Sequence, residues 1–456
     1  MDYADYYPDD CIAALATAWG ESALSVIRTS GEGAIEKVGN CFLPSNRLIK
    51  APGNSVVHGT FLDPVTGGPC DDVLAVVFRA PKSYTGQDSV ELSVHGSMAG
   101  VEKIMKVLFT NGFRQAGPGE FTLRAFLSGK MDLTRAEAVR EIVAAKSGKA
   151  HALALHRLSG GIEKRINRVK AELTDIMTEI EIQLDYSDEE PEAGDYTIPL
   201  SRIEDLRKPV RELISTFTVG RVYQEGVRIV LAGKTNSGKS SLFNLFLRED
   251  RSIVSEIHGT TRDYIESWMT VRGVPVKLYD TAGLRKSEDI IETAGIARSE
   301  RLIQNADIIL YLVDGTEGVH PDEETFLTDP RWKERTVLVW NKADCRQKSP
   351  PADALELSAV TGEGFSRLEE EIVGRALEGT SASEGEPVID SLRQKELLER
   401  CLSALDQVGS GIESKAPLDM ISLDVQEALR ALGEITGEVT TADILNNMFS
   451  KFCVGK

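Results

Sequence analysis

The feature that most limits what this chain can fold into is one octet and the elements on either side of it. The apolar, β-branched run Val227 to Leu231 leads into Gly233-Lys234-Thr235-Asn236-Ser237-Gly238-Lys239-Ser240, and a helix-forming stretch, Ser241 to Leu247, follows. A G-x-x-x-x-G-K-S spacing between strand and helix is a phosphate-binding loop. Gly233 and Gly238 let the backbone turn so that successive N–H groups face phosphate oxygens. Lys239 carries a cation to the β- and γ-oxygens, and Ser240 offers its hydroxyl to Mg2+. A plain glycine turn is the bland alternative, and the presence of both flanking elements weighs against it.

The loop alone does not choose a base; the segments after it do. Further short runs, Val276 to Tyr279, Ile308 to Val313, Thr336 to Trp340 and Ala354 to Leu357, alternate with longer mixed segments, the rhythm of a parallel α/β sheet. Most end directly on a polar cluster, and in open α/β sheets ligands bind beyond the carboxyl ends of the strands. Asp280-Thr281-Ala282-Gly283 follows the second run: Asp280 can hold Mg2+ through water, and the Gly283 amide can sense a γ-phosphate. Asn341-Lys342-Ala343-Asp344 follows the fourth. The Asp344 carboxylate can accept from both the ring N–H and the exocyclic amine of guanine, a pairing adenine cannot make, and an unpaired buried acceptor rejects the wrong base. Ser358-Ala359 closes the series, where a backbone amide can meet the guanine oxygen. Four motifs in this order predict GTP binding.

Between the phosphate loop and Asp280, Gly259-Thr260-Thr261-Arg262-Asp263 reads as a first switch loop with Thr261 as the second hydroxyl ligand of Mg2+. After Gly283 stands Leu284, an apolar residue where many GTPases place the glutamine that orients the attacking water, so hydrolysis needs another device. The candidates are Glu292, acting on water, and a cation near Asn236 that compensates transition-state charge. With Lys239 and Thr261, Glu292 completes the catalytic set.

The rest of the 456 residues argues for about three domains. Residues 1–128 carry β-branched runs at Ser55 to Phe61, Val73 to Phe78 and Val90 to Val94 between Gly and Pro, an α+β domain. Thr134 to Leu184 is rich in helix formers with apolar residues three and four apart, and Thr134-Arg135-Ala136-Glu137 fits a capping box. Similar patterns at Ser201 to Phe217, Ser391 to Leu405, Leu423 to Leu432 and Thr441 to Phe449 lie on both sides of the nucleotide-binding stretch. The expected architecture is therefore a discontinuous α-helical domain, 129–222 and 385–456, with a P-loop α/β (Ras-like) G domain, 223–384, inserted, and Glu378 to Pro387 as the return linker. The acidic run Asp185, Asp188, Glu189, Glu190, Glu192, Asp195 reads as a solvated loop. The six cysteines show no C-x-x-C pair, so most are expected to be reduced packing residues. A net charge of −19 opposes non-specific attraction to a phosphate backbone, so nucleic-acid contact needs a local basic patch or a basic partner. No apolar run approaches the roughly 20 residues of a membrane span, and the acidic start Met1 to Asp10 lacks the features of a secretory or organelle signal, which implies a cytoplasmic address.

Several further segments resemble the MnmE (TrmE) family of tRNA-modifying GTPases, within the TrmE-Era-like group. They are Ser83-Tyr84-Thr85-Gly86-Gln87-Asp88, Pro118-Gly119-Glu120-Phe121-Thr122, Arg124-Ala125-Phe126-Leu127, Leu133-Thr134-Arg135-Ala136-Glu137-Ala138, Gly259 to Asp263, and Phe452-Cys453-Val454-Gly455-Lys456. The resemblance covers nearly the whole chain. It implies a bacterial, cytoplasmic protein whose residues 1–128 bind a tetrahydrofolate derivative (5-formyl or methylene form) and form a homodimer, and whose G domain dimerises when K+ binds. It also implies an MnmG (GidA)-type flavoprotein partner, carrying FAD and NADH, with which an aminomethyl or carboxymethylaminomethyl group is placed on C5 of the wobble uridine of certain tRNAs, the partner making most of the tRNA contact.

Carried over by position, the resemblance makes Asn236 a K+ ligand together with Ser255, Ile257 and Thr260, and makes Glu292 the residue that positions water. The nucleotide-binding set becomes Asn236 to Ser241, that is Asn236, Ser237, Gly238, Lys239, Ser240 and Ser241; Ser255, Glu256, Ile257, His258, Gly259, Thr260 and Thr261; Asp280, Thr281, Ala282 and Gly283; Asn341, Lys342, Ala343 and Asp344; and Ser358, Ala359 and Val360. Arg28, Glu91, Lys130 and Lys456 are the implied folate contacts: cations suit its glutamate carboxylates, and a carboxylate suits its pterin amines. Cys453 stands in the family's cysteine motif and is the implied functional thiol. The chain departs from the pattern at Trp19 to Leu24, which replaces a glycine-rich stretch, at Ser97, and at Val360, where a basic residue is usual. Two rival readings remain to be weighed: a regulatory GTP switch without one-carbon chemistry, which folate binding by residues 1–128 would discriminate, and a nucleotide-binding domain that no longer hydrolyses GTP, which the intact Lys239, Ser240, Thr261 and Asp280 oppose.

Overall fold

The computed structural model describes residues 10–185, 198–249, 265–280, 301–345, 347–377 and 386–456. Ser255, Glu256, Ile257, His258, Gly259, Thr260, Thr261, Thr281, Ala282, Gly283 and Glu292 lie outside the described residues, as do 188–195 of the acidic run and 378–385 of the expected linker. The chain divides into two compact units: Met1–Arg140, Leu158–Thr197 and Ser410–Lys456 form the first, and Glu141–Arg157 with Ile198–Gly409 the second.

The first unit holds seven strands: β1 (Cys11–Leu15), β2 (Ser22–Ser30), β3 (Phe42–Leu43), β4 (Ser55–Leu62), β5 (Pro69–Phe78), β6 (Ser89–Gly96) and β7 (Phe113–Gln115). Their order across the sheet is β3-β4-β5-β6-β2-β1-β7. In β4, Val57, Gly59 and Phe61 turn inward while Val56 and His58 turn out, the period-two pattern of a strand with one covered face. The covered face packs Ile27, Val73, Ala75 and Leu92 against Ile104 and Leu108 of the Met98–Thr110 helix. The open face exposes Leu24, Val56 and Leu74 at 61, 62 and 46%. Ser97, one of the departures noted above, is the N-cap of that helix: its hydroxyl accepts from Gly100 N–H at 3.3 Å.

The helical stretch expected over Thr134 to Leu184 is three helices, Leu133–Ala144, Gly148–Leu158 and Gly161–Asp185, separated at Ser147 and at Ser159-Gly160, where Gly160 has φ 84°. The cap expected at Thr134 lies two residues earlier, as an aspartate cap rather than a capping box. Asp132 is the acceptor, taking Arg135 N–H at 3.0 Å and the Thr134 hydroxyl at 2.8 Å, because the helix already begins at Leu133. In the Gly161–Asp185 helix Ile162, Ile166, Val169, Leu173, Ile176 and Ile180 are buried at three- and four-residue spacing, and this helix packs on Leu418–Thr436. The Leu423 to Leu432 expectation is the middle of that longer helix, and Thr441 caps the next, Ala442–Phe449. All six cysteines are free: Cys11, Cys41 and Cys401 are buried and Cys70 packs, partly buried, on the core that holds Cys11 and Cys41, while Cys345 and Cys453 are exposed.

The second unit contains a six-stranded sheet: β8 (Val227–Ala232), β9 (Ile265–Val271), β10 (Val274–Asp280), β11 (Ile308–Asp314), β12 (Thr336–Asn341) and β13 (Leu355–Glu356). The order is β13-β12-β11-β8-β10-β9. All neighbours are parallel except β9, which runs antiparallel to β10. This edge strand is absent from the sequence reading, since Ile265-Glu266-Ser267-Trp268 carries no apolar run. One face buries Leu242, Phe243 and Phe246 of the Lys239–Glu249 helix and Leu368 and Ile372 of Phe365–Ala376, with Ala150 of Gly148–Leu158; the other buries Val230, Tyr279, Ile309, Tyr311 and Val313. The Ser201 to Phe217 expectation resolves into Leu200–Ser215 and Phe217–Glu225, and Ser391 to Leu405 extends to Leu392–Glu413.

The first unit is tied around a buried ionic network that the sequence pattern does not display. Arg124, 2% exposed, donates to Asp10 Oδ1 at 2.6 Å, Glu120 Oε1 at 2.9 Å and Gln87 Oε1 at 3.0 Å. Arg114 holds the same two carboxylates, at 2.6 Å to each. Burial pushes the Glu120 and Asp10 carboxyls up, but the Arg114 hydrogen bonds outweigh it, and both sit below the ordinary carboxylate range. A depressed folded-state pKa adds stability above the unfolded pKa, about 4, and that contribution is lost as pH falls through the folded value. Removing one partner of a buried pair costs about 3–5 kcal/mol. Arg124→Ala is therefore expected to lower stability by about that amount at pH 7 in urea unfolding, with the deficit shrinking below about pH 4. A loss under about 0.5 kcal/mol at pH 7 contradicts the network's role.

Candidate nucleotide-binding site

The carboxyl ends of β8, β10, β11, β12 and β13 carry the motifs Gly233 to Ser240, Asp280, Asp314, Asn341 to Asp344 and Ser358-Ala359 respectively, so the sheet gathers them at one edge. An open cleft of about 720 Å³ lies there, lined by Gly233, Lys234, Asn236, Lys239, Ser240 and Lys342 among others. Ser240 and Ser241 are exposed at its floor, in the first turn of the Lys239–Glu249 helix. A helix N-terminus with free amides and a lysine suits an anion. Lys239 Nζ donates to the carbonyls of Gly233 at 2.8 Å and Lys234 at 2.5 Å, which holds the ammonium over the loop. Gly233 (φ 131°) and Gly238 (φ 97°) take conformations that L side chains rarely adopt, and Asn236 has φ 66°.

Asn341 joins the loops. It is 2% exposed; its amide nitrogen donates to Ser237 O at 2.7 Å and its amide oxygen accepts Ala359 N–H at 3.0 Å. A Cβ at Gly238 would come within 2.0 Å of Asn341 Nδ2, so this glycine is required by the asparagine as well as by its φ. Ser358 N–H donates to Glu363 O at 2.9 Å and Ala359 N–H to Asn341, which leaves Val360 N–H as the amide of that turn with no partner among the described residues. Val360 itself is 79% exposed.

Asp344 takes a hydrogen bond from the Ser358 hydroxyl at 2.6 Å, and that bond is the main reason its carboxyl lies below the ordinary range, keeping it an acceptor at neutral pH. Lys342, at φ 63°, is ion-paired with Asp314. Burial raises the Asp314 carboxyl, and the Lys342 and Thr316 hydrogen bonds more than offset it. Asp314 was not among the expected site residues, because its partner is 28 positions away and only the adjacent parallel strands β11 and β12, with Asp314 opposite Asn341, bring the two together.

In the first unit the structure brings three of the four expected folate contacts near one another. Arg28 and Glu91 sit directly opposite on β2 and β6 and pair with each other at 2.7 Å, at 22 and 26% side-chain exposure. The guanidinium also lies 5.5 Å from the Tyr84 ring centroid and 5.6 Å from that of Phe121, and donates to Gly455 O at 3.2 Å. The segment carrying Lys456 is held by Phe121 N–H on Lys456 O at 3.2 Å and Gly119 N–H on Cys453 O at 3.3 Å, with Val454 bridged to Pro118. Lys130 instead donates to Pro81 O at 2.8 Å. Tyr84 and Phe121 were quoted in motifs but not read as contacts, since a ring beside a cation is visible only once β2 and β6 are paired.

A parallel sheet ending in a phosphate loop, with an Asn-Lys-x-Asp segment tied to that loop, defines a P-loop GTPase. The comparisons with known proteins narrow the class. Residues 11–130 match the model described as GTP-binding protein TrmE N-terminus, and 133–453, a span that contains the nucleotide-binding sheet, match the MnmE helical domain. The tRNA modification GTPase MnmE of Carboxydothermus hydrogenoformans is 41% identical over 98% of this chain and 100% of its own length; that of Treponema denticola is 41% identical over 100% of both. The chain belongs to the MnmE (TrmE) family of tRNA modification GTPases, and it is a GTP hydrolase. The G domain of the T. maritima FeoB iron transporter is 28% identical over 33% of this chain and 98% of that one with a TM-score of 0.26, which adds nothing to the sheet order above.

Because Asn341 touches two loops through buried hydrogen bonds, Asn341→Ala leaves Ser237 O and Ala359 N–H unpaired, at about 1–3 kcal/mol each. GTP affinity, measured by titration with a fluorescent GTP analogue, is expected to fall by about 10-fold or more. An unchanged Kd contradicts the role assigned to this side chain.

Proposed function

We propose that the chain is a K+-activated GTPase that, with an FAD- and NADH-using MnmG (GidA)-type partner, installs an aminomethyl or carboxymethylaminomethyl group on C5 of the wobble uridine of certain tRNAs, drawing one carbon from a tetrahydrofolate derivative. The observation that carries the GTPase part is the convergence of the phosphate loop and the Asn341 to Asp344 segment at one edge of the sheet, joined through Asn341. Similarity to tRNA modification GTPases along nearly the whole chain supports the tRNA part. The domain plan is 1–128 for folate binding and dimerisation, 129–222 and 385–456 for the helical domain, and 223–384 for the G domain.

In this reading Lys239 and the amides from Asn236 to Ser241 bind the phosphates, Asp344 and Val360 N–H read the guanine edge, and Lys342 and Ala343 flank the base. The cleft fits Mg2+, because the Ser240 hydroxyl is exposed at the helix start; Thr261 and, through water, Asp280 complete its set. It also fits K+, because Asn236 is exposed at the cleft with no described hydrogen-bond partner. Ser255, Ile257 and Thr260 are its other ligands, and Glu292 positions water. When bound, K+ would supply positive charge at the phosphates, while Glu292 takes the water-positioning task that the apolar Leu284 cannot perform. Arg28 and Glu91, being paired, present a donor edge and an acceptor edge side by side toward a folate, with Lys130 and Lys456 as further cations and Cys453 as an exposed thiol. The open face of the first unit's sheet, with Leu24, Val56 and Leu74, supports a homodimer. No helix among the described residues is long and apolar enough to cross a membrane, and a cytoplasmic site of action fits the proposed tRNA substrate.

Steady-state GTP hydrolysis in K+ against Na+ at equal ionic strength tests the reading. Turnover at least about 10-fold faster in K+ is expected, lost in both Asn236→Ala and Glu292→Ala, in line with one preorganised electrostatic group. Equal turnover in the two salts favours the rival regulatory switch.

A further inference from the structure

The chain's net charge of −19 means that any polyanion must meet a locally basic surface. One such surface lies in the second unit, on the edge of the sheet opposite the nucleotide cleft. The 13-residue stretch Lys146 to Leu158 contains no Asp or Glu, although the chain has 71 of them, and carries Lys146, Lys149, His151, His156 and Arg157. Arg157 is buried in ion pairs with Glu141 and Asp390, whereas Lys146, Lys149 and His151 are exposed.

Lys146 and Lys149 stand over the β9–β10 hairpin. Lys146 Nζ is 5.9 Å and Lys277 Nζ 4.9 Å from the Trp268 ring centroid, and Lys149 packs beside Gly273, where a Cβ would come within 3.1 Å of its side chain. Strand register continues the row: Trp268 is opposite Lys277, and Lys277 opposite Arg228. Arg228 and Gly226 line a basal pocket of about 640 Å³, which Arg221, Arg335 and Arg375 also enter. Trp268 lies over Gly226, so a Cβ there would come within 2.7 Å of the ring. The half-exposed indole and the pocket are therefore one continuous surface. Glu225, Asp307 and Glu334 line the pocket as well, and Asp307 neutralises Arg228 at 2.9 Å. Arg335 is held by carbonyls, with Ala306 O at 2.7 Å, and keeps its charge uncompensated there; Arg221, Lys146 and Lys149 have no ion-pair partner among the described residues.

Cations flanking an aromatic ring beside an arginine-lined pocket is the arrangement that tracks a phosphodiester backbone. We infer that the surface formed by Lys146, Lys149, Trp268, Lys277 and Arg221 binds the phosphate backbone of RNA, and that on this chain it is a direct tRNA contact outside the nucleotide site. The inference rests on the tRNA reading above. An acidic protein is less suited: Arg228, Arg335 and Arg375 keep separate carbonyl or carboxylate partners, whereas Lys146, Lys149 and Arg221, without ion-pair partners among the described residues, are spread from the start of the Gly148–Leu158 helix to the pocket, as a backbone track requires.

The test uses the full chain and unmodified tRNA in binding titrations from low to physiological salt. The triple variant Lys146→Glu/Lys149→Glu/Arg221→Glu changes exposed side chains only, and its basal GTP hydrolysis reports that the fold is intact. A control, Arg47→Glu/Lys50→Glu/Lys415→Glu, carries the same change of charge elsewhere. The expected result is a tRNA affinity at least about 10-fold weaker for the first variant, with the slope of log affinity against log salt reduced by about 2–3 as three phosphate contacts are lost, and little change in the control. Equal losses in both variants, or tRNA affinity unchanged in the first while a co-purifying protein is lost, overturn the inference and leave the tRNA reading standing. A wild-type chain that binds no tRNA at low salt overturns the inference; if it also binds none in the presence of the flavoprotein partner, the tRNA reading falls with it.

Discussion

Two hydrogen bonds from one buried amide hold the nucleotide cleft in register. Asn341 closes β12 and reaches both Ser237 of the phosphate loop and Ala359 of the turn after β13. The phosphate loop and the turn after β13, built on different strands, are thereby fixed to each other. The same side chain occupies the space a Cβ at Gly238 would need, so a glycine of one motif and the asparagine of another form a single steric solution. The pairing of Lys342 with Asp314 and the bond from Ser358 to Asp344 then orient the residues on either side of it. Each is a tertiary consequence of parallel strands ending together, which is why the switch point of such a sheet concentrates chemistry.

The first unit is organised by charge in a different way. Arg114 and Arg124 bind Asp10 and Glu120 so closely that the helix Glu120–Leu127 and the chain entering β1 become one body. That body is the seat for residues 453–456, which lie along Pro118 to Phe121 through main-chain contacts. Gly119, at φ 68°, has Phe449 O within 2.9 Å of where a Cβ would stand, so a larger residue would push the segment away. Residues more than 300 positions apart thus create the half-buried corner where Arg28 and Glu91 meet.

What the sequence made legible follows from how strictly each feature constrains residue type. The phosphate loop and Asn341 to Asp344 are readable because positive φ and close backbone approach admit few residues. Uniform β-branched strands such as β11 and β12 are readable from burial on both faces. The edge strand β9 is not, since Glu266 and Ser267 break its apolar run, nor is the true helix cap, because Asp132 and Thr134 both satisfy cap chemistry and only the observed start at Leu133 chooses between them. The pairing of Arg28 with Glu91 is hidden for a further reason: strand register across 63 residues is not written in either segment. Read singly, Arg28 and Glu91 imply separate contacts to opposite ends of a ligand; the structure pairs them at one place.

The proposed function ties GTP turnover at this cleft to a change on tRNA. Its most direct test is the nucleoside content of tRNA, by mass spectrometry, from cells deprived of this chain and then given back either the wild type or Lys239→Ala. The expected result is loss of the C5 aminomethyl-type substituent on the wobble uridine, restored by the wild type and not by Lys239→Ala. Unchanged wobble uridine in the deprived cells, or full restoration by Lys239→Ala, would contradict it.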